Sequence, residues 1–278
     1  MTQLLDRKFI QNRIGEGGSG ISYAEFSYTL IQGYDFLHLY RTYGVDLQLC
    51  GADQFGNSST GVHLIKRLEN GRADVWSTPL IIDPVTGRKF GKSEGNAVWL
   101  ASSDNGSGNF TSIFDFYQFW LNQSDESVEY LIKIYSILDK AAIDKILEEH
   151  RTHPELRLAQ KALAKCVTEV VHGKNSATAA ILLTDLLFGD RRLDTLSESD
   201  IESISLLLPT LKLSEKGGKV SLIDALVETT LCPSRSEAKQ LISGNAISVN
   251  GEKVTDLSYV INTLSVIKRG KNKFSLVK

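Results

Sequence analysis

The 278-residue sequence predicts an α/β domain at the front, an all-α middle and a small α+β module at the end. Three observations carry that reading. Helical and strand-like patterns alternate up to about Trp120, the pattern expected of a mainly parallel sheet with covering helices. No strand pattern occurs from Gln123 to Leu208. PTLKLSEKGGK (209–219) then has the composition of a linker, and the small module lies beyond it. The expected domains are therefore 1–122, 123–208 and 219–278, with a linker at 209–218.

In chain order, Glu25 to Tyr40 reads as a helix. Phe26, Leu30, Ile31, Tyr34, Phe36, Leu37 and Leu39 make it apolar nearly all round, as a buried helix would be. VDLQLCG (45–51) alternates like a strand, GADQFGN (51–57) is a loop, and a second helix runs from about Ser58 to Leu68. STPLIIDPVTGRKFGKSEGNAVWL (77–100) reads as two extended pieces around a Pro-Val-Thr-Gly turn, with a loop after Phe90. In the middle segment Leu156, Ala159, Leu163, Cys166, Val167, Val170 and Val171 mark one helix face. Pro154 suits the first turn of that helix and Gly173 its end. In the last module Ser234 is placed to cap a helix carrying Arg235 and Lys239 at i, i+4, and Asn250-Gly251 marks a hairpin turn.

Composition narrows the class. At 42% hydrophobic and 23% charged, the chain is too apolar for a disordered one. No run approaches the roughly 18 unbroken apolar residues of a membrane span. MTQLLDRKFI, at the start, lacks the apolar core of a secretory signal. Cys50, Cys166 and Cys232 are too scattered for a disulfide framework or a zinc site and suit a reducing compartment. The expectation is a soluble cytoplasmic protein without a membrane partner, an organellar home being equally compatible. Charge is uneven: from Lys219 onward nine Lys or Arg face five Asp or Glu, so this tail carries +4 and the rest −6 of the total −2. A basic tail suits a polyanionic partner, although charge alone favours a solvated lysine-rich surface.

Three places carry candidate chemistry. Tyr28, Gln32 and Asp35 fall at i, i+4 and i+7, on one helix face. Polar residues on a buried helix either bond internally or line a pocket for a small polar ligand. GADQFGN lies between strand and helix, where open α/β sheets bind ligands. Gly51 and Gly56 permit close backbone approach there, Asp53 suits ribose hydroxyls, and Gln54 suits a carboxylate or amide. Gly, Asp and Asn are also ordinary turn residues. KFGKSEG (89–95) offers Lys89, Lys92 and Ser93 to a phosphate chain, or simply to solvent.

Taken in order, Tyr28-x3-Gln32-x2-Asp35, GADQFGN, KFGKS and FYQFWLN (116–122) closely resemble bacterial-type tyrosyl-tRNA synthetases, from about residue 5 to the chain end. KFGKS is similar to the second signature of class I synthetases. The resemblance implies an incomplete class I Rossmann domain at the front and an anticodon-side helical domain in the middle. From SLIDALVETTLCPSRSEAKQLISGNAISVNGEKV it implies an S4-like RNA-binding domain at the end. It further implies that Tyr28 and Gln32 hold the ammonium of L-tyrosine, that Asp35 meets the phenol hydroxyl, and that Gln54 contacts the carboxyl end. A carboxylate facing that hydroxyl rejects phenylalanine by leaving the acceptor unpaired, and this family is the standard example of such discrimination. Gly51, Asp53 and Lys92 are implied at ATP and the adenylate, and Lys89, Lys92 and Ser93 in catalysis on the phosphates.

ATP then enters as a substrate with Mg²⁺, with no dedicated metal ligands and no tightly bound cofactor. Holding reactants in line and stabilising the departing pyrophosphate needs no covalent nucleophile, in keeping with the absence of a Ser-His-Asp pattern. The implied partner is tRNA(Tyr), and the intact family is homodimeric. Ser234, Arg235, Lys239, Lys253, Lys268, Arg269, Lys271 and Lys273 are the implied basic strip for RNA.

Some positions depart from the family pattern: Ala52, Phe55, Ser93 and Ile113 stand where Ser, Trp, Thr and Pro are usual. The first class I signature, His-x-Gly-His, does not occur; His38, His63, His150, His153 and His172 never pair across a glycine. The expectation is a chain that lacks the N-terminal half of the catalytic domain, binds tRNA, and forms tyrosyl-adenylate poorly or not at all. Two alternatives stay open: a non-catalytic RNA-binding protein, and one half of a split synthetase.

Overall fold

The computed structural model describes residues 20–82, 97–270 and 272–278, and the chain divides into two compact units, 1–93 and 94–278. In the first unit α1 (Tyr23–Tyr43) opens with a capping box, Ser22 Oγ accepting from the Glu25 N–H while the Glu25 carboxylate accepts from the Ser22 N–H. It closes on Gly44 at φ 69°, a left-handed conformation that glycine adopts without strain. β1 (Leu47–Gly51), α2 (Phe55–Glu69) and β2 (Asp74–Thr78) follow, the two strands parallel with Leu47 opposite Asp74. This is the parallel pairing that the alternation predicts, although β2 begins ahead of the expected extended piece at Ser77.

α1 and α2 approach closely at two glycines. A Cβ on Gly33 would lie 2.8 Å from Thr60 Cγ2, and one on Gly61 would lie 2.7 Å from Phe36 Cβ. Phe36, Leu37, Ile65 and Ala73 form the core beneath. α1 is not buried nearly all round as expected. Tyr28, Ile31 and Tyr34 are exposed, and on the strands Leu49 and Trp76 are 68% and 66% exposed. Among the described residues, α2 covers only the face of α1 that carries Gly33, Phe36 and Leu37. The predicted turn at 84–87 lies outside the described residues.

The second unit begins its helices with α3 (Ile113–Leu121), capped by Ser112, whose Oγ accepts from the Asp115 N–H. Ile113 stands at the first helical position, where the N–H has no intrahelical acceptor, so proline and isoleucine both fit. α4 (Asp125–Tyr135), α5 (Lys140–Thr152), α6 (Leu158–His172), α7 (Lys174–Phe188) and α8 (Glu198–Ser205) complete the helical body. α3 packs on α6 and α7, so the border expected at 122/123 runs through a packed helix group. α6 is shorter than predicted. Pro154–Leu156 is a separate 3₁₀ turn, and Arg157 at φ 52° breaks the helix before Leu158. The Arg157 guanidinium donates to the Leu121 and Gln123 carbonyls, holding the end of α3. Ala159, Leu163, Cys166 and Val167 are buried as expected, whereas Leu156 and Val170 are exposed.

The remaining elements are β3 (Thr210–Leu211), β4 (Val220–Ser221), α9 (Leu222–Glu228), α10 (Arg235–Ser243), β5 (Ile247–Val249), β6 (Glu252–Lys253), β7 (Val260–Ile261), β8 (Ser265–Arg269) and β9 (Lys273–Val277). They form a sheet of order β3-β9-β8-β5-β6 and a small β4–β7 pair. The segment 209–218 is therefore not a free linker. Thr210–Leu211 pairs parallel with β9, and Leu213–Lys216 makes a 3₁₀ turn, which covers backbone that β9 would otherwise expose as a sheet edge. Asn250 and Gly251 both take positive φ, 52° and 89°, between β5 and β6, as the predicted hairpin requires.

The sheet has two apolar faces. Ile247, Val249, Ile267 and Val277 pack on Leu222, Leu226 and Ile242 of α9 and α10. Val266, Phe274 and Leu276 pack on Phe114, Leu182, Leu183 and Ile204 of α3, α7 and α8. Among the described residues no helix is long and apolar enough to cross a membrane.

Candidate functional site

The first candidate site lies in the first unit, where α1 meets the start of α2. α2 begins at Phe55, three residues before its predicted start, so Gln54 is its N-cap and GADQFGN runs directly into the helix. At the turn Gly51 lies close to the Asp53 carboxylate; a Cβ there would sit 2.9 Å from Asp53 Oδ1, which that side chain would relieve by turning away. The Gln54 N–H donates to the Gly51 carbonyl, and the Ala52 N–H donates to that of Thr78 on β2.

A short chain of side chains joins this turn to α1. Thr29 Oγ1 donates to Asn57 Oδ1 at 2.8 Å, and Asn57 Nδ2 donates to Gln54 Oε1 at 3.1 Å. One turn further along α1, Gln32 Nε2 reaches Ser58 Oγ at 3.5 Å, a long bond. Gln32 Oε1 is buried with no hydrogen-bond partner among the described residues. The fold thus brings Gln32 and Gln54 to one junction. Tyr28 and Asp35 share the face of Gln32 but are exposed, and Asp53 is exposed at the turn. Thr29, Asn57 and Ser58 were not singled out from the sequence. The one available signal was Asn57 at the end of the GADQFGN loop, because a contact across 28 residues leaves no local trace. Lys89, Lys92 and Ser93 lie outside the described residues. Among the described residues, no cluster of three His, Cys, Asp or Glu could hold a metal.

The second candidate site is the basic tail, and here the structure divides the expected strip. Lys268 and Arg269 are neighbours on β8, so they project to opposite faces of the sheet. On the α10 side Arg269 is largely buried; its guanidinium donates to the Glu237 carboxylate at 2.7 Å and to the Leu231 carbonyl. It ties β8 to α10 and is not free for RNA. Ser234 caps α10, its Oγ accepting the Glu237 N–H. Arg235 is exposed but paired with Asp224 at 2.6 Å. Lys239 and Lys273 are exposed and carry no ion pair among the described residues, and Lys273 stands opposite Arg269. Lys253 and Lys268 occupy the other face, each opposite Ser248 in the β5 register. Lys271 lies outside the described residues.

Elsewhere in the helical body, burial and the nearby Asp185 carboxylate push the Tyr117 phenol up to about 12. Burial pushes the His172 imidazole down from its ordinary value; it stacks edge-on against Phe116 with ring centres 4.8 Å apart. Both belong to packing rather than to a site.

Residues 1–189 match the tRNA synthetases class I (W and Y) family, and residues 200–277 match the tyrosine–tRNA ligase SYY-like C-terminal domain. The tyrosine–tRNA ligase of Flavobacterium psychrophilum is 38% identical over 283 residues, covering 99% of this chain and 63% of that protein. That of Sodalis glossinidius is 39% identical over 285 residues, covering 100% of this chain and 65% of that protein. The chain thus spans 63–65% of the length of these curated relatives. Among solved structures, a C-terminally truncated Aspergillus nidulans mitochondrial tyrosyl-tRNA synthetase matches with TM-score 0.52 and 32% identity, covering 66% of this chain and 50% of that one. The Coccidioides posadasii counterpart gives 0.51 and 30%, covering 65% of this chain and 50% of that one.

Proposed function

Because this chain belongs to the tyrosyl branch of the class I tRNA synthetases, we propose that it carries the tyrosine-recognising and tRNA-binding parts of a tyrosine–tRNA ligase. Its substrates in that role are L-tyrosine, ATP with Mg²⁺, and tRNA(Tyr). The observation that carries the reading is the buried Gln32 Oε1 without a partner, beside the start of α2. A buried acceptor left unpaired costs about 1–3 kcal/mol, which a donor on a ligand offsets. The ammonium of an amino acid is such a donor, and the N-terminal end of α2 favours the carboxylate that comes with it. Tyr28 supports the ammonium, Asp35 takes the phenol hydroxyl, and Gln54 and Asp53 hold the carboxyl end and ribose. Lys89, Lys92 and Ser93 act on the phosphates. Residues 219–278 serve as an S4-like RNA-binding domain, with Lys239, Lys273 and Arg235 as its phosphate contacts on the α10 side.

Asp35 stands in water in this arrangement, and a carboxylate–phenol bond made in water contributes little. The 278 residues alone therefore bind tyrosine weakly and form tyrosyl-adenylate poorly or not at all. Calorimetry with free tyrosine tests the assignment: weak binding by the chain, abolished in Gln32→Leu, is expected. Equal heats from the two proteins would remove Gln32 from the site. The exposed Leu49 and Trp76 favour a second reading, one half of a split enzyme whose partner polypeptide covers them. Mixing the chain with the remaining third of a relative would then restore adenylate formation.

A further inference from the structure

The sequence holds three Asn-Gly pairs, Asn70-Gly71, Asn105-Gly106 and Asn250-Gly251. In such a pair the glycine nitrogen can attack the asparagine side-chain amide, because glycine has no Cβ to crowd the approach and reaches backbone shapes closed to other residues. The fold sets the three apart. Asn70 ends α2, where the Gly71 N–H donates to the Ile65 carbonyl and Gly71 lies against the Tyr40 ring. Asn250 is held at both ends of its amide: Oδ1 accepts the Val266 N–H at 2.8 Å, and Nδ2 donates to Ser265 Oγ at 3.4 Å. Its side chain is thereby committed to β8.

Asn105 is placed differently. Asp104, Asn105, Gly106 and Ser107 are all exposed, in a loop closed at its base by Thr111. The Thr111 N–H donates to the Ala101 carbonyl, and its Oγ1 accepts the Trp99 N–H, each at 2.9 Å. Gly106 takes φ 92°, with open space where a side chain would stand. Its N–H donates to Asp104 Oδ1 at 2.8 Å, so a carboxylate stands ready for that proton. Ser107 donates twice to Asn105 Oδ1, from Oγ at 2.7 Å and from its N–H at 3.2 Å. These donors polarise the amide carbonyl and would meet the negative charge that forms on its oxygen during attack.

We propose that Asn105 is a site of self-modification, which the folded chain converts to aspartate and isoaspartate. The Gly106 nitrogen bonds to Asn105 Cγ while its proton passes to Asp104. The Cγ–Nδ2 bond then breaks, and the amide nitrogen takes the proton back from Asp104 and leaves as ammonia. A cyclic imide now joins residues 105 and 106. Water opens it on the side-chain carbonyl to give aspartate, or on the main-chain carbonyl to give isoaspartate. Either product adds one negative charge. Isoaspartate also routes the backbone through the former side chain, a change that the bonds of Thr111 confine to the loop.

Peptide mapping by mass spectrometry of the full chain, aged in mildly alkaline buffer, tests this. Chymotrypsin cuts after Leu100 and Phe110 isolate the pair. Asn105 should lose its amide first, giving two products of equal mass that separate by chromatography, while Asn70 and Asn250 keep theirs. In urea the three pairs should convert at similar rates, since the unfolded chain carries only the chemistry common to Asn-Gly. Asp104→Ala and Ser107→Ala should each slow Asn105 about tenfold in the folded chain and leave its rate in urea unchanged. That effect is smaller than the roughly 10²–10⁴-fold of a positioned acid or base, because this loop stands in water. An Asn105 that keeps its amide, conversion of Asn70 or Asn250 as fast as Asn105 in the folded chain, or a folded-chain rate that either substitution leaves unchanged would overturn the proposal.

Discussion

Phe274→Ala should do more than remove a ring, because Phe274 joins the tail sheet to the helical body. The side chain is 5% exposed. Its ring meets Phe114 edge-on at 6.4 Å and 87°, and Phe188 at 5.8 Å and 85°. Truncating a buried phenylalanine costs about 3–5 kcal/mol, within which each edge-to-face pair accounts for about 0.5–1.5 kcal/mol. With two such pairs we expect about 4 kcal/mol. For a unit of this size each kcal/mol lowers Tm by about 2–4 °C, so the midpoint should fall by about 8–16 °C. The loss should be directional, since Phe274 lies on the face toward α7 and α8 and away from α9 and α10. Trypsin should then cut the variant faster within 209–218, at Lys212 or Lys216, as the tail loosens from the helices. Thermal unfolding by circular dichroism and timed proteolysis measure both effects. A midpoint within about 2 °C of the parent chain and an unchanged cleavage rate would refute the shared core.

Gly33→Ala should destabilise the first unit by about 1–3 kcal/mol, because the added methyl meets Thr60 Cγ2 at 2.8 Å; adding Thr60→Ser should recover part of the loss in urea unfolding. Arg269→Ala should cost about 1–3 kcal/mol by leaving Glu237 and the Leu231 carbonyl without their donor, whereas Lys239→Ala should stay within about 0.5 kcal/mol, both by urea unfolding. Tyr117 is a raised acid, folded at about 12 against an unfolded value of 10.0, so its contribution is complete below pH 10 and lost as pH rises toward 12. Tyr117→Phe should therefore retain about 2 kcal/mol more stability than the parent between pH 9 and pH 12, measured by urea unfolding at each pH.

Local signals in the sequence located α1 and its polar face, because Tyr28, Gln32 and Asp35 recur at helical spacing. The same was true of the Ser234 cap and the Asn250-Gly251 turn, which are set by residues next to one another. What escaped depends on distant chain. Thr210 and Leu211 look like linker residues until β9 is beside them, and the bond from Thr29 to Asn57 exists only once α1 and α2 have packed. Arg157 carries no sign of its left-handed backbone; the carbonyls of Leu121 and Gln123 hold its side chain there. The division of the basic strip was legible but unread, since adjacent strand residues such as Lys268 and Arg269 must face opposite ways. The exposure of Asp35 was not legible, because periodicity shows which residues share a face but not what covers it.

The central claim is that these 278 residues hold tyrosine- and RNA-recognising parts without being able to activate tyrosine alone. Tyrosine-dependent ATP–pyrophosphate exchange by the purified chain tests it directly. We expect no exchange above the level seen without tyrosine. Sustained exchange that requires tyrosine and disappears in Asp35→Ala would contradict the claim and show a complete activation site within these residues.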